Sequence, residues 1–288
     1  RRQRQMCIRD RIYKLGLALS GGGAKGFAHI GAIKAMEERG IYPEVISGTS
    51  AGAVVGALYA AGIEPEEMLE HFMKHEVTDF LKFTLPNKSF LKYDGFAKFL
   101  TKILPVKNIE ELNIPLHIIA SDFDNGNFVD FTSGELVPRI MASCTLPVVF
   151  APIKIDGVRY VDGGLFKNLP VSPIRNMCDK VMAVNVSPHL IDEHKENMLY
   201  VAAKSYQYIF KANVTEDMKL CDWILEIDSV LKYKTFELKK AREIYEIGYV
   251  EMHHALEDIW NDRNHFLVNA GKDYFKRKYL DEKDSSFT

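Results

Sequence analysis

The sequence predicts an α/β fold on a mostly parallel sheet. Apolar runs of strand length alternate with helix-period segments from residue 14 onward, and glycine-rich turns stand where strand gives way to helix near 21–26 and 48–52. The 288 residues show no internal repeat, low-complexity linker or persuasive domain boundary, and 47% hydrophobic with 26% charged residues is ordinary globular composition.

KLGLALS (14–20) has the length and apolar density of a buried strand. AKGFAHIGAIKAMEERG follows with Phe27, Ile30, Ile33, Ala35 and Met36 at mostly helical spacing, and Gly40 sits where a C-terminal glycine ends a helix. EVISGTS (44–50) is a second short strand, and AGAVVGALYAAG (51–62) a helix of small residues that must pack closely. Pro65 marks the first turn of EPEEMLEHFMKH. From 77 to 104 a Phe- and Leu-rich stretch breaks the pattern and reads as a helical insertion. PLHIIASDF (115–123) is a strand, NGNFVDFTSG a turn with a short extended arm, and ELVPRIMASCTLP a brief helix stopped before Pro147. In APIKIDGVRYVDGG two alternating arms flank Asp156-Gly157, a strong hairpin signal. KVMAVNVS (180–187) is a further core strand, a helix runs through roughly 194–213, WILEID (223–228) is the last strand, and LKKAREIYEIGYVEMHHALEDIW is a long closing helix.

A net charge of −2 and a pI near 6.6 offer no basic field, so nucleic acid is set aside as a partner. Cys7, Cys144, Cys178 and Cys221 lack CxxC spacing or neighbouring histidines, so they read as reduced structural thiols, with no metal site. No run approaches the roughly 18 uninterrupted apolar residues of a membrane span, and no signal peptide is apparent. A cytoplasmic protein is expected, with at most transient membrane-surface contact; the sequence sets no oligomeric state. RRQRQMCIRDRIYK carries six basic residues against one acidic and has no periodicity. Residues 1–13 are expected to be a non-native or disordered lead, 14–262 one folded domain, and 263–288 a C-terminal extension.

GGGAKG (21–26) satisfies GxGxxG between a strand and a helix, the context of a dinucleotide-binding turn. That reading needs an acid at the end of the second strand, which instead ends Ile46-Ser47-Gly48-Thr49-Ser50. A Walker loop needs Ser or Thr after its lysine, and Lys25 precedes Gly26. What remains is a set of backbone N–H groups at a helix N-terminus, suited to an oxyanion as well as to a phosphate. Gly48-Thr49-Ser50-Ala51-Gly52 fits the GxSxG nucleophile elbow in its strand–helix context. Both turns follow parallel strands, so they open on one sheet edge, where Gly21, Gly22 and Gly23 could donate to an oxyanion formed by attack of Ser50.

A serine needs a base. His189, His194, His253, His254 and His265 lie in helices, polar stretches or otherwise unconvincing positions, whereas Asp162 ends an extended arm and is followed by Gly163-Gly164. GGGAKG, GTSAG and DGG, in this order and at these intervals, resemble the patatin-like phospholipase family, in particular bacterial members similar to neuropathy target esterase. The likeness runs from Lys14 through the Asp162 region, with SCTLPVVFAPIKIDGVRYVDGG especially close, and continues more weakly to about residue 257. The resemblance implies a three-layer α/β/α fold and a serine acyl hydrolase acting on lipid esters through a Ser-Asp dyad. Ser50 would be the nucleophile, Asp162 the base, and the Gly21–Gly23 amides the oxyanion hole, with no cofactor. Lys25 occupies the family's basic position and is expected to be solvated rather than to face a substrate phosphate. Asp122 and Asp124 are expected to form a turn. Phe80, Phe83, Phe90, Phe96 and Phe99 fit either an acyl-chain pocket or packing of the insertion. The alternative from another class is a Rossmann-type nucleotide-binding protein using GGGAKG.

Overall fold

The computed structural model describes residues 13–80, 94–147, 149–188 and 198–261. The basic lead to residue 12, the extension from 263, Cys7, Phe83, Phe90, His189, His194 and His265 lie outside the described residues. In chain order the elements are β1 (Tyr13–Leu19), α1 (Phe27–Glu38), β2 (Val45–Thr49), α2 (Ala51–Ala60), α3 (Pro65–Met73), α4 (Val77–Phe80), α5 (Asp94–Ile103), β3 (Leu116–Asp122), β4 (Asn127–Phe131), α6 (Leu136–Ser143), β5 (Ile153–Ile155), β6 (Val158–Asp162), α7 (Ser172–Arg175), β7 (Cys178–Asn185), α8 (Met198–Met218), β8 (Trp223–Glu226) and α9 (Ala241–Asn261).

Most predicted elements stand where periodicity placed them. Pro65 occupies the first turn of α3, and Gly40 takes the left-handed conformation (φ 69°) after α1. The β5–β6 hairpin turns at Asp156 and Gly157 with φ of 50° and 92°, the positive pair that a tight primed turn requires. One helix differs in extent: α8 runs on to Met218, beyond the expected 213. Its last turns bury Val214 and Met218 against the sheet and pair Asp217 with Lys167, contacts that a local pattern does not register.

The sheet order is β5-β6-β3-β2-β1-β7-β8, with β4 also paired to β3. β3, β2, β1, β7 and β8 are parallel, and β4, β5 and β6 form the antiparallel end. Alternation along the strands divides the core into two layers. Leu17, Leu19, Ile46 and Val184 pack with α1, α2, α3 and α9, while Ala18, Val45, Val181 and Ala183 pack with Ile174, Val214 and Met218 on α7 and α8. This is a three-layer α/β/α sandwich.

Helices α1 and α9 meet backbone to backbone. A Cβ at Gly31 would run into the Tyr245 carbonyl, and one at Gly248 into the Ala28 carbonyl. Gly248→Val is therefore expected to force the two helices apart and to destabilise the fold by about 1–3 kcal/mol or more, read as a lowered urea midpoint at unchanged slope.

Candidate active site

The turn after β2 is a strained elbow. Ser50 has φ 53° and ψ −119°, a left-handed conformation that non-glycine residues adopt only where their surroundings impose it. The imposition is visible. The Ser50 N–H donates to Ser143 Oγ at 2.8 Å, and the Ser143 hydroxyl donates to the Ile119 carbonyl. Gly48 and Gly52 let strand and helix close on each other: a Cβ at Gly48 would strike the Gly52 backbone, and one at Gly52 the Leu19 carbonyl. The result places the Ser50 hydroxyl at the N-terminus of α2, on the floor of a cavity.

Strand β3 brings Asp162 to this point. Over Ile118–Asp122 one edge of β3 is taken by β4, so β2 and β6 share the other edge. β2 arrives parallel and ends with Thr49 opposite Ile119, while β6 arrives antiparallel and ends with Asp162 opposite Ala120, the next residue. Two strands distant in sequence thus terminate against one another. Asp162 is 1% exposed; its Oδ1 accepts the Gly164 N–H at 2.8 Å, and its main chain is held by Thr145 and Ser121. Gly163 lets the turn lie against β3, since a Cβ there would meet the Ile119 carbonyl. Oδ2 is buried without a hydrogen-bond partner. Burial pushes the Asp162 carboxyl up to about 7, opposed by the Gly164 N–H and the nearby Ser50 hydroxyl. The hydroxyl is close enough to favour the carboxylate yet not in hydrogen-bonding geometry, as is common before a substrate tightens such a pair.

The glycine turn follows β1, between the Ser50 elbow and the end of β7. Gly21 donates its N–H to the Asn168 carbonyl at 3.1 Å, and Ala24 donates to the Thr235 carbonyl at 2.7 Å. Among the described residues, the Gly22 and Gly23 N–H groups have no main-chain acceptor. The expected set of three donors is thus divided, with Gly21 spent on tying the turn to the segment after Asp162. Gly26 packs against the start of α2, where a Cβ would meet Ala51.

These groups share a cavity of about 970 Å³ whose wall includes Val54, Val55, Phe80, Phe96, Phe150 and Phe236. Phe80, Phe96 and Phe99 also pack with one another and with Phe72, so the aromatic insertion is both core and wall. Lys25 is a correction. It is 8% exposed and lines the cavity rather than extending into solvent, and burial lowers its ammonium from the ordinary lysine range. Cys144 lines the cavity beside Ser50, and burial and the Asp162 charge push its thiol up, which suits the reduced, structural reading. Cys178, packed against Gly16, fits the structural reading.

No histidine is found among the described lining residues. His29 is fully buried under the turn with Nε2 2.8 Å from the Ser20 carbonyl, His117 pairs with Asp130, and His253 and His254 lie in α9. Asp122 accepts from Asp124, Asn125 and the Asn125 side chain, the expected turn. No group of three His, Cys, Asp or Glu able to hold a metal occurs among the described residues, and no described helix is long and apolar enough to cross a membrane. Ser143, Asn168 and Tyr206, which also shape the site, were not legible in the sequence because none belongs to a motif with a chemical signature. In chemical terms, a hydroxyl on a strained turn, a carboxyl able to exchange a proton near neutral pH and two free N–H groups suit addition to a carbonyl.

Residues 17–174 match the profile of the patatin-like phospholipases. An uncharacterized NTE family protein of Mycobacterium tuberculosis is 35% identical over 177 residues, 60% of this chain and 49% of that protein. Lysophospholipase nte1 of Aspergillus fumigatus is 27% identical over 290 residues, covering 89% of this chain and 19% of that protein. The chain therefore spans at most about half the length of these curated relatives. Among solved structures, VipD from Legionella pneumophila aligns with a TM-score of 0.48 at 15% identity, over 85% of this chain and 67% of that one. With the profile match running from the first strand across all three motifs to α7, the chain belongs to the patatin-like phospholipase family.

Proposed function

We propose that the protein is a serine hydrolase that cleaves lipid acyl esters, of phospholipase, lysophospholipase or carboxylesterase type. The observation that carries this reading is the meeting of the strained Ser50 turn with the buried Asp162 carboxyl on the floor of an apolar cavity. Asp162 takes the Ser50 hydroxyl proton as Oγ attacks the ester carbonyl, and the Gly22 and Gly23 N–H groups stabilise the oxyanion. The proton then passes to the departing alcohol, leaving an acyl group on Ser50 that water removes. Cavity volume and lining support a lipid substrate, since sites of about 300–1,000 Å³ with apolar walls and few polar groups enclose one such ligand. Tyr208, Ile209 and Phe236 are exposed and also line the cavity, which suits brief contact with a lipid surface.

The test is treatment with a fluorophosphonate probe, followed by assay on p-nitrophenyl esters and lysophospholipids. Labelling at Ser50 with ester hydrolysis is expected. A folded Ser50→Ala variant with wild-type turnover, or thermal stabilisation by NAD, would instead revive the nucleotide-binding reading. Phe236→Ser removes an apolar residue from the cavity wall, where the ring is 39% exposed and packs edge-on against Phe150. It is expected to raise KM for long-chain esters several-fold while sparing p-nitrophenyl acetate, because each buried methylene contributes about 0.8 kcal/mol.

A further inference from the structure

Three buried polar groups at the cavity have no partner for their hydrogen bonds. They are Asp162 Oδ2, both ends of the Asn168 carboxamide, and the Tyr206 hydroxyl. All three residues line the same cavity as Ser50. Leaving such a group unpaired costs about 1–3 kcal/mol, so three together mark a place built for a polar occupant.

Asn168 is held in place from two sides. Its carbonyl accepts the Gly21 N–H at 3.1 Å, its N–H donates to Asn213 Oδ1 on α8 at 2.8 Å, and the side chain is 0% exposed. A Cβ built on Gly21 would lie 3.3 Å from Ser50 Cβ and touch Asn168 Oδ1, so the carboxamide ends within one small group's width of Ser50. Tyr206 reaches the site from α8, where its ring packs edge-on against Phe210 at 4.4 Å, and Phe210 closes over Gly164 beside Asp162. The Tyr206 hydroxyl lies within electrostatic range of the Asp162 carboxylate. Asn168 and Tyr206 thus approach Asp162 and Ser50 from the loop after the aspartate and from α8.

We propose that Asn168 and Tyr206, with Asp162 Oδ2, bind the water that hydrolyses the acyl-enzyme. A buried water requires two to four polar partners, and an amide with a donor and an acceptor together with a hydroxyl on the wall of the same cavity can supply them. The inference rests on the assignment of Ser50 and Asp162 given above. In the step, water oxygen bonds to the acyl carbonyl carbon while Asp162 Oδ2 accepts its proton. The carbon–Oγ bond then breaks, the proton returns to Ser50 Oγ, and the fatty acid departs. The first half-reaction uses no water, so Asn168 and Tyr206 act chiefly in the second.

The experiment is stopped-flow hydrolysis of p-nitrophenyl butyrate by wild type, Tyr206→Phe and Asn168→Leu, with intact-mass analysis of each. Both variants are expected to release a burst of p-nitrophenol close to one per enzyme. Steady turnover should then fall on the order of 10²-fold, as expected for a misplaced reactant, with a butyryl adduct accumulating on Ser50. Hydroxylamine, a nucleophile that does not depend on this water site, should restore turnover. Phosphonate labelling should be unchanged, and the melting temperature equal to or above that of wild type. A fall in labelling and turnover together, without a burst, or unchanged turnover in folded variants, would overturn the proposal. If wild type itself forms no Ser50 adduct with the phosphonate, the underlying hydrolase assignment fails instead. If Asn168→Leu does not fold, Tyr206→Phe alone decides, because it removes only the unpartnered hydroxyl.

Discussion

Ser50→Ala and Asp162→Asn are each expected to lower ester hydrolysis to the same floor, by ~10⁴-fold or more, with the double variant no worse than either. This is expected because nucleophile and base share one proton transfer, so removing either abolishes the step that the other serves. The register across β3 makes this physical. Thr49 and Asp162 stand opposite consecutive residues, so Ser50 and the carboxyl cannot be displaced independently. Fluorophosphonate labelling should fail in Ser50→Ala and slow strongly in Asp162→Asn, whereas alanine at His29 or His117 should leave chemistry largely intact once folding is verified. Those histidines are occupied elsewhere, under the glycine turn and with Asp130. Additive losses in the double variant, or a folded histidine variant as inactive as Ser50→Ala, would show that the dyad is not the unit.

The second large effect is on pH dependence. On the proposed role of Asp162 as the base, a carboxyl held up at about 7 is mostly ionised only above that value, so kcat/KM should rise tenfold per pH unit up to about 7 and then level off. Stability moves the other way. The folded protein holds a proton on Asp162 up to about 7, whereas the unfolded chain releases it near 3.8. Stability from this group is therefore full below about 4, declines as pH rises toward 7, and is flat above. Asp162→Asn removes that loss and should stabilise the protein at pH 8 by up to on the order of 4 kcal/mol. The gain should vanish near pH 4.

His29 contributes the opposite slope. Desolvation lowers it from 6.5 to about 4, against the hydrogen bond to Ser20. Its contribution is therefore present above about 6.5 and lost as pH falls toward 4. The two groups largely offset in wild type between pH 4 and 7. Urea titrations of Asp162→Asn across that range should expose the acid destabilisation that His29 causes. An Asp162→Asn variant no more stable than wild type at pH 8 would mean that the carboxyl is not desolvated as the structure places it.

Several features were legible in the sequence because they are local. The strand–turn–helix units at 14–38 and 45–60, the Pro65 helix start and the Asp156-Gly157 hairpin each depend on a few neighbouring side chains and on backbone conformations that glycine and proline control. GTSAG could be read as an elbow for the same reason: only small residues permit the contacts that Gly48 and Gly52 make. Other features were decided by tertiary structure. The end of β6 meets the end of β2 because β4 takes the far edge of β3, a pairing over long sequence separation that no local period encodes. The lysine expected in solvent became a wall residue because the cavity closed around it, and α8 extended because its last turns found a partner in the sheet. Asn168 carries no motif, and Gly21 was expected to donate to an oxyanion until folding gave its N–H to the Asn168 carbonyl. Sequence pattern reports which backbone shapes a segment can adopt, whereas burial and hydrogen-bond partners depend on which distant segment arrives beside it, and at Asp162 burial by those segments is what pushes the carboxyl up to about 7.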